Sequence, residues 1–471
     1  MKVLLIGGSG TFGRRIAQLL AETGGFDILI AGRDLARADA AAGALRPPAR
    51  AVSFDRNGDV EARIAALKPD LVIDAAGPFQ DAAGDPYRVA RACIAARSHY
   101  LDIADARDFV GGIETLSAAA GAAGVSVISG ASSVPALSSA YVAELARGMS
   151  EIAAIDIALS ASNRATAGAN VNAVILSYVG RTVCYRRAGG WVSGHGWGEM
   201  VARDFVVTGR APIRRRLVAL CDVPDLDLLP RLHPGARNVI FRAGAELALQ
   251  NRALATLGWL VRHGWLHNLQ RWAPFLTRWQ HRLGFLGSDR SGMRVDILGR
   301  DDTGKGVVRR WTLLAEDGHG PWVPSFAAVL LARKLARGDL IPGAMSAANL
   351  LTPTDFRTLF ERFHLFEEAT REAAPLTLYA RTMGPDFDRL PSAVRALHNF
   401  LAPDRAAGRA SVTRGNSLLA RLAAKLGGFP AAVADTPVAV DFDVTPAGET
   451  WTRDFGGEVF RSHLSLRQRG N

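Results

Sequence analysis

Short apolar runs alternate with longer amphipathic stretches over the first 150 residues. Six runs rich in apolar and β-branched residues recur about every 25 residues, at 2–7, 27–32, 50–55, 70–76, 99–104 and 124–130. Each is followed by an Ala- and Arg-rich stretch long enough for a helix, which is the pattern of βαβ units. The pattern predicts a doubly wound parallel sheet over residues 1–150, with ligands bound at the carboxyl ends of its strands.

The alternation weakens after residue 150, where a second domain is expected over 151–375. Strands are predicted at 152–159 and 293–299, and a further strand at 306–314 pairs with the latter across a short polar turn. A helix at 322–337 is expected to pack back on the first sheet. These elements predict an α+β domain.

A third unit is expected over 376–471. Helices are predicted at 391–400 and 417–426, and strands at 438–444 and 450–455. The sequence ends soon after the last strand, so we expect a small α+β domain with an incomplete sheet.

Residues 247–288 form a basic, Trp-rich helical insert that contains no acidic residue. At about 100° per residue, the Trp and Leu residues of this segment would lie on one face of a helix, and its His and Arg residues on the opposite face. The first group is Trp265, Leu269, Trp272, Leu276, Trp279 and Leu283, and the second is His263, His267, Arg271, Arg278, His281 and Arg282. Pro274 predicts two helices or a kink. Two interpretations remain open: buried packing or a substrate-tunnel wall, and a membrane-surface element over 252–286.

Composition narrows the class of protein. The chain has 471 residues, of which 48% are hydrophobic and 21% charged, as in ordinary globular proteins. The net charge of the chain is +11, and residues 181–300 alone account for this excess, so the rest of the chain is neutral. Only five lysines occur, and such a dominance of arginine is better explained by codon composition than by phosphate binding. We therefore do not expect a nucleic-acid partner. Three widely spaced cysteines favour a reducing compartment and predict no thiolate metal site. We therefore expect a cytoplasmic protein without a bound metal, and no run of apolar residues is long enough for a spanning helix.

Glycines follow the first predicted strand with the spacing G-x-x-G-x-x-G. Gly7 suits a tight turn, Gly10 lets the main chain approach a diphosphate, and Gly13 permits close packing of helix on strand. The motif lies directly between a strand and a helix, which predicts a Rossmann dinucleotide site. The residues assigned to this loop are Gly7, Ser9, Gly10, Thr11, Phe12 and Gly13.

The ends of the next strands suggest which dinucleotide binds. Arg33 stands where an NAD site presents an acidic side chain, and a guanidinium suits the 2′-phosphate of NADP. The alternative is a solvated charge at the start of the next helix. Asp55 either accepts from the adenine amino group or caps the following helix. Small residues at Ala76, Gly77 and Gly130 leave room for the nicotinamide ribose, although a Gly-Pro turn needs no cofactor to explain it.

These motifs resemble the saccharopine dehydrogenase-like family. The resemblance rests on the glycine loop, Ala-Gly-Arg-Asp at 31–34, Ala-Ala-Gly-Pro-Phe at 75–79, His-Tyr-Leu-Asp-Ile-Ala-Asp at 99–105 and a stretch at 338–351. It implies an NADP-dependent oxidoreductase with a Rossmann domain and an α+β second domain whose sheet mediates dimerisation. The region after residue 376 resembles a domain of unknown function found in such reductases, through Arg389-Leu390-Pro391 and Trp451-x-Arg453-x-Phe455.

Two carboxylates are the candidates for a catalytic acid. Asp102 and Asp105 end the fifth predicted strand, at the edge where the nicotinamide is expected, although a carboxylate there also caps helices. The predicted function is hydride transfer between NADP(H) and an imine, a carbonyl or a lipid-linked enoyl group. The alternative is a non-catalytic module that senses NADP and docks on membrane or lipid. The partners expected are a small-molecule or lipid-linked substrate, a second copy of the chain, and a membrane surface through 252–286.

Overall fold

The computed structural model describes residues 1–77, 79–80, 84–164, 169–282, 284–427, 429–445 and 448–465. Pro78, within the 75–79 motif, and Leu283 of the helical insert lie outside these ranges. Among the described helices, none is long and apolar enough to cross a membrane.

The first 150 residues alternate strand and helix as the apolar pattern predicts. Each strand is short and is followed by a helix along the chain, and all of them are largely buried except the edge strand at 50–53, which is partly exposed. The elements are β1 (Lys2–Ile6), α1 (Thr11–Thr23), β2 (Asp27–Gly32), α2 (Leu35–Gly43), β3 (Arg50–Ser53), α3 (Val60–Leu67), β4 (Leu71–Asp74), α4 (Arg88–Ala95), β5 (His99–Asp102), α5 (Arg107–Gly112), α6 (Ser117–Ala123), β6 (Ser126–Ser129) and α7 (Ser138–Ala146).

The middle of the chain builds a second sheet and then returns to the first. Its elements are β7 (Met149–Ser160), α8 (Ala169–Tyr178), β8 (Thr182–Arg187), β9 (Gly190–His195), β10 (Val201–Phe205), β11 (Ile213–Leu220), α9 (Asp225–Leu232), β12 (Asn238–Gly244), α10 (Ala248–Arg262), α11 (Ala273–Arg282), β13 (Ser291–Asp301), β14 (Gly306–Ala315), α12 (Val323–Arg337), β15 (Gly343–Ser346), α13 (Pro353–Arg362) and β16 (Leu365–Ala373).

The first sheet is entirely parallel in the described part of the chain, with the order β15-β6-β5-β4-β1-β2-β3. Apart from β15, this is the Rossmann order, which reverses between β1 and β4. β15 extends the sheet beyond β6, and α12 packs against α1, as expected for the 322–337 helix. The predicted boundary of 151–375 therefore assigns to the second domain a segment that pairs with the first sheet.

The second sheet is mixed, and β7 lies at its centre. β7 pairs parallel with β12 and antiparallel with β13, and β13 pairs antiparallel with β14 as the sequence predicts. Both sheets share one apolar core, in which α12 is largely buried. Tyr141 of α7 stacks on Trp311 of β14 at 3.6 Å between ring centroids, so the two units are packed directly against each other.

The C-terminal unit is an antiparallel meander with the order β17-β18-β19-β20. Its elements are α14 (Leu378–Met383), α15 (Ser392–Leu397), β17 (Asp404–Val412), α16 (Leu418–Leu426), β18 (Val433–Thr445), β19 (Gly448–Asp454) and β20 (Val459–Ser465). The chain is thus α/β overall, with a Rossmann-type sheet, a mixed sheet and a small antiparallel sheet.

The insert at 247–288 is two helices, α10 and α11, and Pro274 lies in the first turn of α11. The expectation that one face carries all the Trp and Leu residues is wrong. Trp265 and Trp272 are exposed, whereas Leu269 is buried and Leu276 is partly buried against the core. The helical conformation is interrupted between the two helices, where Asn268 has a φ of 52°, so the helical phase before the break does not continue after it.

Candidate functional site

The turn after β1 is made compact by glycines that leave no room for side chains. Gly7 has a φ of +74°, and a Cβ there would lie 2.9 Å from the carbonyl carbon of Ala75. The N–H of Gly10 donates to the carbonyl oxygen of Gly7 at 2.8 Å. A Cβ on Gly13 would lie 2.2 Å from that same oxygen. The glycine spacing therefore lets α1 begin directly against the end of β1.

The N–H groups in the first turn of α1 have no side-chain hydrogen-bond acceptor at the N-cap. Gly10 caps the helix without a side-chain hydrogen bond, and the first turn holds no acidic residue. Ser9, Thr11 and Phe12 surround this end, and Thr11 is exposed to solvent. Free N–H groups and the positive end of the helix dipole favour a bound phosphate. The residues fit the diphosphate of a dinucleotide.

The end of β2 presents a cation to solvent. Arg33 is exposed, and it forms no ion pair with the acidic residues that the structure describes. The neighbouring Asp34 is the N-cap of α2, and its Oδ1 accepts from the N–H of Arg37 at 3.1 Å. Because capping engages the Asp34 carboxylate, Arg33 is the more available group for a ribose 2′-substituent, which favours NADP over NAD.

Asp55 lies in a turn beyond β3 and does not cap α3. Its Oδ1 accepts from the N–H of Asn57 at 3.0 Å, whereas Asp59 caps α3 through the N–H of Ala62 at 3.0 Å. The helix-cap interpretation of Asp55 is therefore wrong, because the helix begins four residues later than that interpretation requires. A contact between Asp55 and the adenine stays a prediction.

Arg56 secures the end of β4. It pairs with the buried Asp74 at 3.1 Å, and its guanidinium donates to the carbonyl oxygen of Ala76 at 2.6 Å. Gly77 follows and faces a cavity that also reaches Phe12. The sequence interpretation named Ala76 and Gly77 but overlooked Arg56, because no local motif links residue 56 to strand β4.

A cavity of about 500 Å³ lies between the first and second sheets. Phe12, Gly77 and Asp105 line it at the edge of the first sheet, and most of the remaining wall is apolar. The wall on the far side comes from β7, α8, β12, α10, β13 and β14. Ligands of open α/β sheets bind at this edge, where the strand order reverses.

Asp105 faces this cavity and is fixed by Gln80. The Gln80 amide donates to Asp105 Oδ1 at 2.9 Å, and its own oxygen accepts from the N–H of Phe79 at 3.1 Å. Removal from bulk solvent raises the pKa of Asp105, and the bond from Gln80 opposes that shift only in part. A carboxyl group with a raised pKa is suited to donate a proton. The sequence interpretation did not include Gln80.

Asp102 is fully buried and does not line the cavity. Its Oδ1 accepts from the N–H of Ala104, the hydroxyl of Ser129 and the N–H of Gly130, at 3.0, 2.9 and 2.8 Å. Burial raises its pKa to about 6, although these bonds oppose the shift. Asp102 and Gly130 thus join β5 to the loop after β6, and the geometry favours Asp105 over Asp102 as an acid that reaches the cavity. A contact between Gly130 and the cofactor stays a prediction.

Further polar groups of the cavity come from the second unit. The Tyr178 hydroxyl and the Cys221 thiol are 2.9 Å apart, and both face the cavity with Asp222. Burial raises the pKa of Tyr178 well above its ordinary value, and raises that of Cys221 to about 12. Sequence spacing could not associate Tyr178 with Cys221, because the two residues are 43 positions apart in the chain. Among the described residues, no three His, Cys, Asp or Glu side chains are grouped so as to hold a metal.

Comparison with known proteins agrees with this geometry. Residues 3–128 match the family model described as saccharopine dehydrogenase NADP binding domain. Residues 390–471 match a domain of unknown function, DUF4166. No curated protein sequence matches the chain.

Among solved structures, the chain is similar to apo saccharopine dehydrogenase (L-Glu forming) from Saccharomyces cerevisiae. The identity is 14%, the TM-score is 0.54, and the match covers 79% of this chain and 100% of the yeast chain. A mutant of meso-dapdh with DAP, from Clostridium tetani E88, shows 12% identity and a TM-score of 0.39, over 76% of this chain and 98% of the other. Because it covers 79% of this chain, the yeast match extends the shared fold beyond the N-terminal unit.

The glycine loop, the strand order and the family match agree on the nature of the N-terminal unit. The family match supports an oxidoreductase as the general class, and the yeast structure shows a shared fold. The chain carries a saccharopine dehydrogenase-type NADP-binding domain at its N-terminus and a DUF4166 domain at its C-terminus.

Proposed function

We propose that the chain is an NADP(H)-dependent oxidoreductase that acts on a neutral, largely apolar substrate held between the two larger sheets. The observation that carries the proposal is the continuity of the cavity with the cofactor edge. Phe12 and Gly77 belong to that edge, and the same cavity extends to Phe241 and Met293 in the second sheet. A substrate in the cavity would therefore lie beside the expected nicotinamide position.

When bound, NADPH supplies a hydride to a polarised C=N, C=O or C=C bond. The atom of that bond that does not receive the hydride needs a proton. Asp105 is the acid at the cofactor end of the cavity, and its raised pKa favours the protonated form that can donate. Gln80 holds the carboxyl group in one orientation, which limits the loss of entropy at the proton transfer.

The charge of the lining supports a neutral substrate. Among the described lining residues there is no lysine, arginine or histidine, and the ionisable carboxyl groups are Asp105 and Asp222. A substrate carboxylate or phosphate would be desolvated there without a cation, and burying an unpaired charge is strongly unfavourable. An apolar chain, in contrast, gains free energy by contact with this wall.

Turnover assays on the purified full chain test this proposal. NADPH oxidation is compared between long-chain neutral acceptors, namely an aliphatic aldehyde, a methyl ketone, an imine and an enoyl ester, and short 2-oxo acids. We expect turnover with at least one neutral acceptor and none with the 2-oxo acids. Preference for a 2-oxo acid would contradict the substrate class, and NADPH that binds but is oxidised by no acceptor would favour the non-catalytic NADP-sensing module.

The variant Asp105→Asn tests the acid. Loss of a general acid lowers kcat by about 100-fold or more, while NADPH affinity should not change. Wild-type activity should fall as pH rises through the raised pKa, because the donor must be protonated, and the variant should lack this limb. Asp108→Asn, which removes an exposed carboxylate three residues further along, in the first turn of α5, is the matched control. Equal activity of Asp105→Asn and the control would exclude Asp105 as the proton donor.

A further inference from the structure

The helices α10 and α11 lie between the cavity and solvent. Leu254 and Leu257 of α10 and Leu276 of α11 line the cavity. The opposite sides of the same segment are exposed. One wall of the proposed substrate site is therefore also an outer surface of the protein.

This outer surface carries large apolar side chains in water. Trp265 is 67% exposed, Trp272 55% and Phe285 72%. Trp265 packs edge-on against Trp259 with 5.3 Å between ring centroids, so the rings form groups rather than isolated exposed residues. Grouped exposed aromatic side chains mark an interaction site. We call the exposed side chains of residues 249–286 the α10–α11 surface.

The same surface is basic and contains no acid. Its five arginines are exposed, and no described acidic residue forms an ion pair with them. Arginines of the neighbouring sheet are different: Arg242 pairs with Asp156 at 3.0 Å, and Arg294 with Asp296 at 2.7 Å. The five arginines are Arg252, Arg262, Arg271, Arg278 and Arg282.

We propose that the α10–α11 surface docks on an anionic membrane. Indole rings favour the interface of a bilayer, and unpaired arginines are attracted to anionic lipid headgroups. An apolar partner protein would match the rings alone, whereas an anionic bilayer matches both the rings and the five cations. Docking would bring a wall of the apolar cavity against the bilayer, where apolar substrates concentrate. That last step rests on the proposed function, whereas the docking itself does not.

A second helix offers an internal comparison. In α16, Leu418 is 83% exposed, Leu419 79% and Leu426 80%, and the segment 413–434 contains no acid. It carries fewer cations and no tryptophan. The proposal assigns membrane binding to the α10–α11 surface and not to α16, and separate variants distinguish the two.

Vesicle flotation of the full chain, without NADPH or substrate, tests the proposal. We expect binding to vesicles that contain phosphatidylglycerol at low salt, release at high salt, and weak binding to pure phosphatidylcholine. The double variant Trp265→Ser/Trp272→Ser should bind about 10-fold more weakly or worse. Arg262→Gln/Arg271→Gln should lower binding by about 30-fold at low salt.

Two controls accompany these variants. Trp191→Ser removes an equally exposed tryptophan, at 51%, outside the surface, and should bind as the wild type does. Leu419→Ser tests α16 and should also bind normally. NADPH affinity, measured on every variant, reports that the chain is folded and is independent of turnover.

Three outcomes would overturn the proposal. The wild type could stay out of the vesicle fraction at both salt concentrations. Leu419→Ser could abolish binding while the tryptophan variant keeps it, which would assign docking to α16. The arginine variant could bind vesicles as tightly as the wild type, which would remove the role of charge.

Discussion

We expect a buried carboxyl group in α9, that of Asp225, to make the stability of the protein depend on pH. Asp225 is fully buried in the first turn of α9, which packs between α5 of the first unit and β12 of the second. No ion pair with a described arginine or lysine compensates it. Burial raises its pKa from 3.8 to about 7. The isosteric change Asp225→Asn removes the ionisation and keeps the shape.

The expected magnitude follows from that shift. A group with a raised folded-state pKa stabilises fully below its unfolded pKa, and this stability is lost as pH rises through the folded pKa. A pKa raised from 3.8 to about 7 corresponds to about 4 kcal/mol, lost between pH of about 4 and 7. Between pH 5 and 8 the wild type should lose about 2.5 kcal/mol that the variant retains.

Denaturant unfolding of wild type and variant at pH 5 and 8 measures this difference. The free energy of unfolding of the variant, minus that of the wild type, should increase with pH and level off above pH of about 7. Asp39→Asn, at an exposed position of α2, controls for the loss of one charge and should show no such increase. A difference between Asp225→Asn and wild type that is the same at both pH values would refute the assignment.

Two further predictions concern the cofactor edge. Arg33→Ala should lower the affinity for NADPH by about 10- to 100-fold and leave the affinity for NADH nearly unchanged, because Asp34 is already engaged as a helix cap. Titration followed by protein fluorescence measures both affinities. Equal losses for the two cofactors would contradict the 2′-phosphate contact. Gly13→Ala should abolish NADPH binding in the same titration, because its Cβ would meet the Gly7 oxygen at 2.2 Å. Gly43→Ala, where a Cβ would meet nothing within 4 Å, is its matched control and should bind normally.

The sequence predicted the first six strands because each is specified locally. A buried apolar run followed by a turn and an amphipathic helix needs no distant partner to be recognised. β15 has no such signal: Gly343–Ser346 reads Gly-Ala-Met-Ser and becomes a strand only by pairing with Ser126–Ser129 of β6. Its sequence carries no β-branched residue, so neither propensity nor alternation could predict it.

The same limit applies to the helical insert. A period of 3.6 residues indicates an amphipathic helix, but it does not carry the helical phase across the break between α10 and α11. Leu269 and Leu276 face inward while Trp265 and Trp272 face outward, so only the fold separates the rings from the core. The membrane interpretation therefore gains its support from exposure and not from spacing.

The fold distinguishes between the two carboxyl groups that the sequence offers as the candidate acid. Asp102 and Asp105 are three residues apart, and from the sequence both are predicted to lie at the edge of the sheet where the nicotinamide is expected. Asp102 is the last residue of β5, and its carboxylate accepts hydrogen bonds from Ser129 at the end of β6 and from Gly130 just after it. Asp105 lies beyond the strand, where the chain has left the sheet and opens to the cavity. An acid can protonate a substrate only if its carboxyl group reaches the cavity. We therefore expect Asp105, and not Asp102, to donate the proton, because the Asp102 carboxylate is held by hydrogen bonds at the end of the sheet.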